Sequence, residues 1–207
     1  RERVRVELAR AERLKRFFSP QLAELLSAGD ESILASHRRE ITVLFCDLRG
    51  FTAFAETAAP EELLELLGEY HTLIGELIPA YDGTLEHFAG DGLMVVFGVP
   101  LGSSVREDAC RAVRAANEML ERVEEMNKDR PAGRPELRIG IGIHTGELTA
   151  GTVGSRDRLE YSVIGETVNL AGRLHSAALP DSVVVASRTR ALLGGRFLCE
   201  DLGSHTF

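Results

Sequence analysis

Two aspartates give the first chemical hint in this sequence. Asp47 follows the apolar, β-branched run Ile41-Thr42-Val43-Leu44-Phe45-Cys46 and leads into Leu48-Arg49-Gly50-Phe51-Thr52. Asp91 sits in Ala89-Gly90-Asp91-Gly92, between the run Leu85 to Phe88 and the run Leu93-Met94-Val95-Val96-Phe97. The first pattern predicts a carboxylate at a strand tip, the second a carboxylate in the tight turn of a hairpin. Paired carboxylates suit hard cations such as Mg2+ and Mn2+. Two such ions roughly 3.5–4 Å apart stabilise both the entering and the leaving oxygen of a displacement at phosphorus. The turn at Gly50 opens into helix-forming sequence, and its main-chain amides can cradle a polyphosphate. Taken singly, each aspartate has a plainer role open to it, Asp47 as a helix cap and Asp91 as a turn former.

A third segment, Tyr161-Ser162-Val163-Ile164-Gly165-Glu166-Thr167-Val168-Asn169-Leu170-Ala171-Gly172-Arg173, changes the balance. Asn169 and Arg173 are one helical turn apart and share a face. An amide that can orient a sugar and a guanidinium that can hold a phosphate are donors that phosphoryl transfer requires. The Asn-x-x-x-Arg spacing alone is a weak signal; three such segments in this order in one short chain are not.

Together with Gly140-Ile141-Gly142-Ile143-His144-Thr145-Gly146, these segments resemble the catalytic domain of the class III nucleotidyl cyclases, the adenylate and guanylate cyclase family, over residues 38 to 207. The resemblance implies an α+β, ferredoxin-like sandwich that dimerises head to tail. It implies that Asp47, Asp91 and the main chain of Leu48 hold two divalent ions, Mg2+ or Mn2+. The terminal phosphates would lie on the main chain of Leu48, Arg49, Gly50, Phe51 and Thr52. Asn169 would orient the ribose, and Arg173 would stabilise charge developing on the α-phosphate. The reaction implied is attack of the ribose 3′-hydroxyl on the α-phosphorus of ATP, giving 3′,5′-cyclic AMP and pyrophosphate. Each site would take its metal ligands from one subunit and its base, Asn and Arg groups from the other.

The chain departs from the family pattern at the base-reading positions, where it carries His87 and Ser162. An imidazole and a hydroxyl can each donate and accept, so either purine edge could be satisfied. Ser162 resembles the Thr of some bacterial adenylate cyclases, which favours ATP; GTP stays open as the alternative. His87 also has the plainer reading of a strand residue making one hydrogen bond. A strand arginine of the family is replaced by Gly140, with Arg138 one strand repeat earlier on the same face. The cation expected near the end of the domain is not found before Phe207. These departures leave room for a catalytically silent, nucleotide-binding module, while Asp47, Asp91, Asn169 and Arg173 argue for an enzyme.

At 207 residues and 44% hydrophobic the chain can bury one core, which predicts a single catalytic domain with an appendage. A net charge of -8 disfavours nucleic acid and anionic membrane as partners. It does not disfavour ATP, because bound metals reverse the local sign. Cys46, Cys110 and Cys199, without C-x-x-C spacing, fit buried thiols in a reducing, cytoplasmic setting. No apolar run approaches membrane-spanning length. Residues 1 to about 28 carry Val4, Leu8, Leu14, Phe18, Leu22 and Leu25 at helical spacing, with Pro20 breaking the helix in two. This stretch (domain 1–37) resembles the signalling linker after an upstream sensor domain, or is a helix packed on its own domain. Helices are expected over 60–79, 105–127 and 166–178, and strands over 40–46, 137–149, 159–164 and 182–186. The charges of 127–135 read as a solvated loop. His144 reads as a strand histidine satisfied by a neighbour, outside the catalytic set.

Overall fold

The computed structural model describes residues 20–27, 29, 35–131, 134–155 and 158–204. The expected linker helix lies outside them up to residue 19. Its continuation, α1 (Pro20–Ser27), starts at the proline, where a missing N–H costs nothing. It packs on the domain through buried Leu22 and Ala23, and the Gln21 amide donates to the Gly83 carbonyl at 2.9 Å.

The expected α+β sandwich is what the chain builds. The strands are β1 (His37–Leu48), β2 (Thr84–Ala89), β3 (Gly92–Phe97), β4 (Ile139–Ser155), β5 (Arg158–Ile164) and β6 (Ser182–Val185). They form one sheet in the order β2-β3-β1-β4-β5, antiparallel throughout, with β6 added parallel to β4. The helices are α2 (Phe51–Ala55), α3 (Pro60–Ala80), α4 (Val105–Lys128), α5 (Glu166–Ala177) and α6 (Ser187–Leu193).

Central β1 is buried on both faces, which is why its sequence reads as a continuous apolar run. Leu44, Cys46 and Leu48 enter the larger core, where they meet Tyr70 and Ile74 of α3 and Ala112 and Met119 of α4. Ile41 and Val43 face a smaller core with Met94, Leu148, Val163 and Ala171 of α5. Alanine-rich α4 lies close to the sheet, and the Ser104 hydroxyl caps it by accepting from the Glu107 N–H at 3.2 Å. At Gly142 the main chain of α5 presses on β4: a Cβ there would lie 2.1 Å from the His175 nitrogen.

Three features differ from expectation. Strand β4 continues to Ser155, because its last seven residues pair with β5 from Thr149↔Ile164 to Ser155↔Arg158. Helix α6 was not expected. The segment expected as a solvated loop is tied down instead. The Asn127 amide donates to the Leu137 carbonyl at 2.6 Å and accepts from its N–H at 2.8 Å, while Arg130, 7% exposed, pairs with Glu69 of α3 at 3.3 Å. A guanidinium stem can bury its methylenes while its head stays paired, which a reading by charge alone misses.

Candidate active site

Asp47 stands opposite Gly140 near the end of β1, and the ladder continues through the Arg49 N–H, which donates to the Arg138 carbonyl at 2.7 Å. The chain then turns at Gly50, whose φ of 79° lies in the left-handed region that favours glycine, and enters α2. Asp91 is carried to the same place by the β2–β3 hairpin. Its carboxyl is held above the usual carboxylate range, chiefly by burial and also by the charge of Asp47; hydrogen bonds from its own N–H and that of Leu48 act in the opposite direction. The two aspartates and the main chain of Leu48 are therefore neighbours.

Asp47 has two further companions. His175 Nε2 of α5 lies 2.9 Å from Oδ2, and Arg49 Nη1 lies 3.3 Å from Oδ1. Arg49 Nη2 donates to the His175 carbonyl at 2.5 Å. Even so, Asp47 Oδ1 and His175 Nε2 are buried without an aligned hydrogen bond among the described residues. A buried carboxylate oxygen that lacks an aligned hydrogen bond, beside a second carboxylate, is a donor set that fits hard divalent cations, which take few protein ligands and keep several waters. Among the described residues no group of three or more His, Cys, Asp or Glu side chains is placed to hold a metal. The fit is thus to a two-carboxylate site and not to a zinc-type cage. Beneath Asp47, the Cys46 thiol is pushed up to about 12 by burial and lies 3.3 Å from the Tyr70 hydroxyl, so the floor of the site is neutral.

The second group of expected residues is assembled elsewhere. Strand β2 carries a bulge: Leu85 pairs with Val95 and His87 with Met94, leaving Glu86 as the extra residue. The bulge turns Glu86 inward, and its Oε1 accepts from the Ser162 hydroxyl of β5 at 2.5 Å. The Glu86 side chain is 11% exposed and that of His87 51%; His87 Nδ1 touches the other Glu86 oxygen. His87 and Ser162, expected to work side by side, are joined through Glu86.

Asn169 and Arg173 lie on α5, both exposed, and neither makes a hydrogen bond with Asp47 or Asp91 among the described residues. His175 is two residues beyond Arg173, about 200° around the helix. Since His175 faces Asp47, Arg173 faces away from it. Phe51 packs against the larger core, and Thr52 is exposed beside it. Arg138, a possible replacement for the missing strand arginine, is half-exposed and engaged with Glu136 and Asp181 at 3.3 and 3.7 Å. His144 differs from expectation: its Nδ1 is buried with no hydrogen-bond partner among the described residues, and burial lowers its pKa, which favours the neutral ring.

Sequence reasoning missed Glu86 and His175. His175 had a signal, falling four residues after buried Ala171 on the apolar stripe of α5, where a polar side chain needs a reason. Glu86 had only the oddity of a charge between Leu85 and His87 within a strand.

The family described as the adenylate and guanylate cyclase catalytic domain matches residues 33–206. Adenylate cyclase 1 of Rhizobium meliloti (strain 1021) is 40% identical over 141 residues, 68% of this chain and 21% of that relative. The chain thus spans about a fifth of that relative's length. Among solved structures, the adenylyl cyclase CyaB from P. aeruginosa superposes with a TM-score of 0.81 at 34% identity, covering 84% of this chain and 89% of that one. The guanylyl cyclase Cya2 superposes with a TM-score of 0.75 at 35% identity, covering 83% and 89%. A match over residues 33–206, on a fold that brings two aspartates from separate elements together and an Asn-x-x-x-Arg pair to one helix face, makes this chain a member of the adenylate and guanylate cyclase catalytic-domain family.

Proposed function

We propose that this domain cyclises ATP to 3′,5′-cyclic AMP with release of pyrophosphate, working as a head-to-tail homodimer under an upstream regulatory region. The observation that carries the reading is the split within one chain. Asp47 and Asp91 share a pocket of charge in which Asp47 Oδ1 has no aligned hydrogen bond among the described residues, while Asn169 and Arg173 point away from it on the far side of α5. A second copy turned head to tail supplies the missing half to each site.

In this reading Asp47, Asp91 and the Leu48 main chain hold Mg2+ or Mn2+. Bound there, the ions would neutralise the phosphates and lower the barrier to in-line displacement at phosphorus. The turn from Leu48 through Thr52 receives the terminal phosphates on its amides. The partner's Asn169 fixes the ribose so that its 3′-hydroxyl faces the α-phosphorus, a positioning role. The partner's Arg173 places a guanidinium against the α-phosphate oxygens, where charge accumulates as the bond to pyrophosphate breaks. Named adenylate cyclases among the relatives favour ATP. GTP is the second reading, favoured by the buried Glu86 carboxylate, which can accept from two guanine N–H groups at once.

The test is cyclic nucleotide and pyrophosphate formed from ATP or GTP with Mn2+ across a range of protein concentrations. Cyclic AMP formed at a rate rising faster than linearly in protein is expected, with Asp47→Ala abolishing turnover while the protein stays folded. Unchanged turnover in that variant removes the metal assignment; cyclic GMP alone removes the choice of ATP.

A further inference from the structure

Glu86 belongs to no expected site, yet three independent observations single it out. It is the extra residue of a β-bulge, a device that re-aims a side chain at the cost of one ladder position. Its carboxylate is nearly enclosed, at 11% exposure, and among the described residues no lysine or arginine pairs with it. Buried carboxylates are usually matched by a cation, and this one is met by a hydroxyl and an imidazole. It also bridges two strands that the sheet order sets at opposite ends, β2 and β5, so the sheet curls far enough for the two to touch here.

We infer that Glu86, and not His87, is the residue that reads the purine, acting as the acceptor for N–H groups on the base edge. The inference rests on the cyclase reading above. The Ser162 hydroxyl donates to Oε1 and thereby fixes the carboxylate as a pure acceptor with lone pairs to spare. A site with its acceptor fixed in one orientation discriminates, because a base presenting its own acceptor there leaves two groups unpaired. For adenine the 6-amino group supplies the N–H that this acceptor needs. His87 shields the outer Glu86 oxygen from water and holds it in place; with half its surface in solvent it is poorly set to enforce a choice.

The experiment measures binding of 3′-deoxy-ATP and 3′-deoxy-GTP, which cannot cyclise, to wild type, Glu86→Gln and His87→Ala with Mn2+. Turnover of ATP and GTP is measured in parallel. Glutamine keeps the shape of the side chain and an oxygen for Ser162, and the thermal midpoint of each variant verifies folding. Glu86→Gln is expected to change the ratio of the two affinities by about tenfold or more, and His87→Ala by no more than about threefold. A ratio that moves in Glu86→Gln and holds in His87→Ala supports the assignment, whichever nucleotide wild type prefers. Equal weakening of both analogues by Glu86→Gln shows a bracket between β2 and β5 and overturns it. So does an unchanged ratio, an equal shift in His87→Ala, or wild type binding neither analogue. Selective analogue binding that depends on Glu86, with no cyclic product from wild type, refutes the cyclase activity alone.

Discussion

The Arg49 guanidinium occupies the space above Gly140: a Cβ on Gly140 would lie 1.9 Å from Arg49 Nη2 and 2.3 Å from its Cζ. The strand arginine that the family resemblance leads one to expect at position 140 is absent, and a guanidinium reaches that place from the neighbouring strand end instead. Arg138, half-exposed and paired with Glu136 and Asp181, does not take the role. Residues 49 and 140 thus form a coupled pair in which one is large because the other has no side chain.

Gly140→Ala is expected to drive Arg49 out of its slot. Overpacking of this kind costs about 1–3 kcal/mol, and loss of the guanidinium beside Asp47 is expected to lower turnover by about tenfold or more. Arg49→Ala should lose as much activity, and Arg49→Ala/Gly140→Ala no more than Arg49→Ala alone. Additive losses in that double-mutant cycle would show that the two residues act separately.

His175→Ala is expected to weaken Mn2+ binding by about 10- to 100-fold, the usual effect of removing a group that orients a metal ligand. His175 Nε2 is 2.9 Å from Asp47 Oδ2, and Arg49 leans on the His175 carbonyl, which the alanine variant retains. Calorimetric titration of Mn2+ into the two proteins checks this, and equal affinities would reduce His175 to a packing residue.

The pH dependence follows from Asp91. Burial, with the charge of Asp47 added, raises its folded pKa above the unfolded value, so the folded state holds the proton more tightly. For a group shifted this way, the stability it gives is fully present below the unfolded pKa and is lost as pH rises through the folded one. Metal-free wild type should therefore gain less stability between pH 4 and pH 7 than Asp91→Asn does. The thermal midpoint of Asp91→Asn in a chelator should exceed that of wild type at pH 7. Added Mn2+ should raise the wild-type midpoint and leave the variant's nearly unchanged. Scanning fluorimetry across that range decides the matter, and a variant less stable than wild type at pH 7 would contradict it.

The thiols should divide by burial. Cys46 and Cys110 are fully enclosed and Cys199 is half-buried. A thiol-exchange reagent at pH 8 should react readily with Cys199, while Cys46, pushed up to about 12, reacts only on unfolding. Fast labelling of Cys46 in the native protein would mean that the chain around Asp47 opens freely.

Much of this was legible in the sequence because local rules and tertiary demands agree. The run ending at Asp47 and the Gly-Asp-Gly hairpin signal their elements within a few residues, and the carboxylates follow. What stayed hidden depends on contacts between distant segments. The bulge at Glu86 cannot be read from Leu85 to Phe88, since it is defined by the register against β3. The role of Gly140 needs Arg49, which arrives from another strand. The extension of β4 to Ser155 passes through Gly151 and Gly154, residues that weaken a strand signal, although β5 pairs with the chain through both.

The seating of α5 on Gly142 has a consequence for how two sites on a dimer would communicate. With its main chain in contact with β4, the helix cannot slide without moving the strand. One end of its surface, at His175, leans on the chain's own Asp47, and the opposite surface carries the exposed Asn169 and Arg173. In a head-to-tail pair each helix is then a rocker with one foot in each site, and nucleotide drawn against one foot is felt at the other. Turnover that is sigmoidal in nucleotide at saturating Mn2+ is the signature of such a rocker. A hyperbolic curve would mean that the two feet move independently.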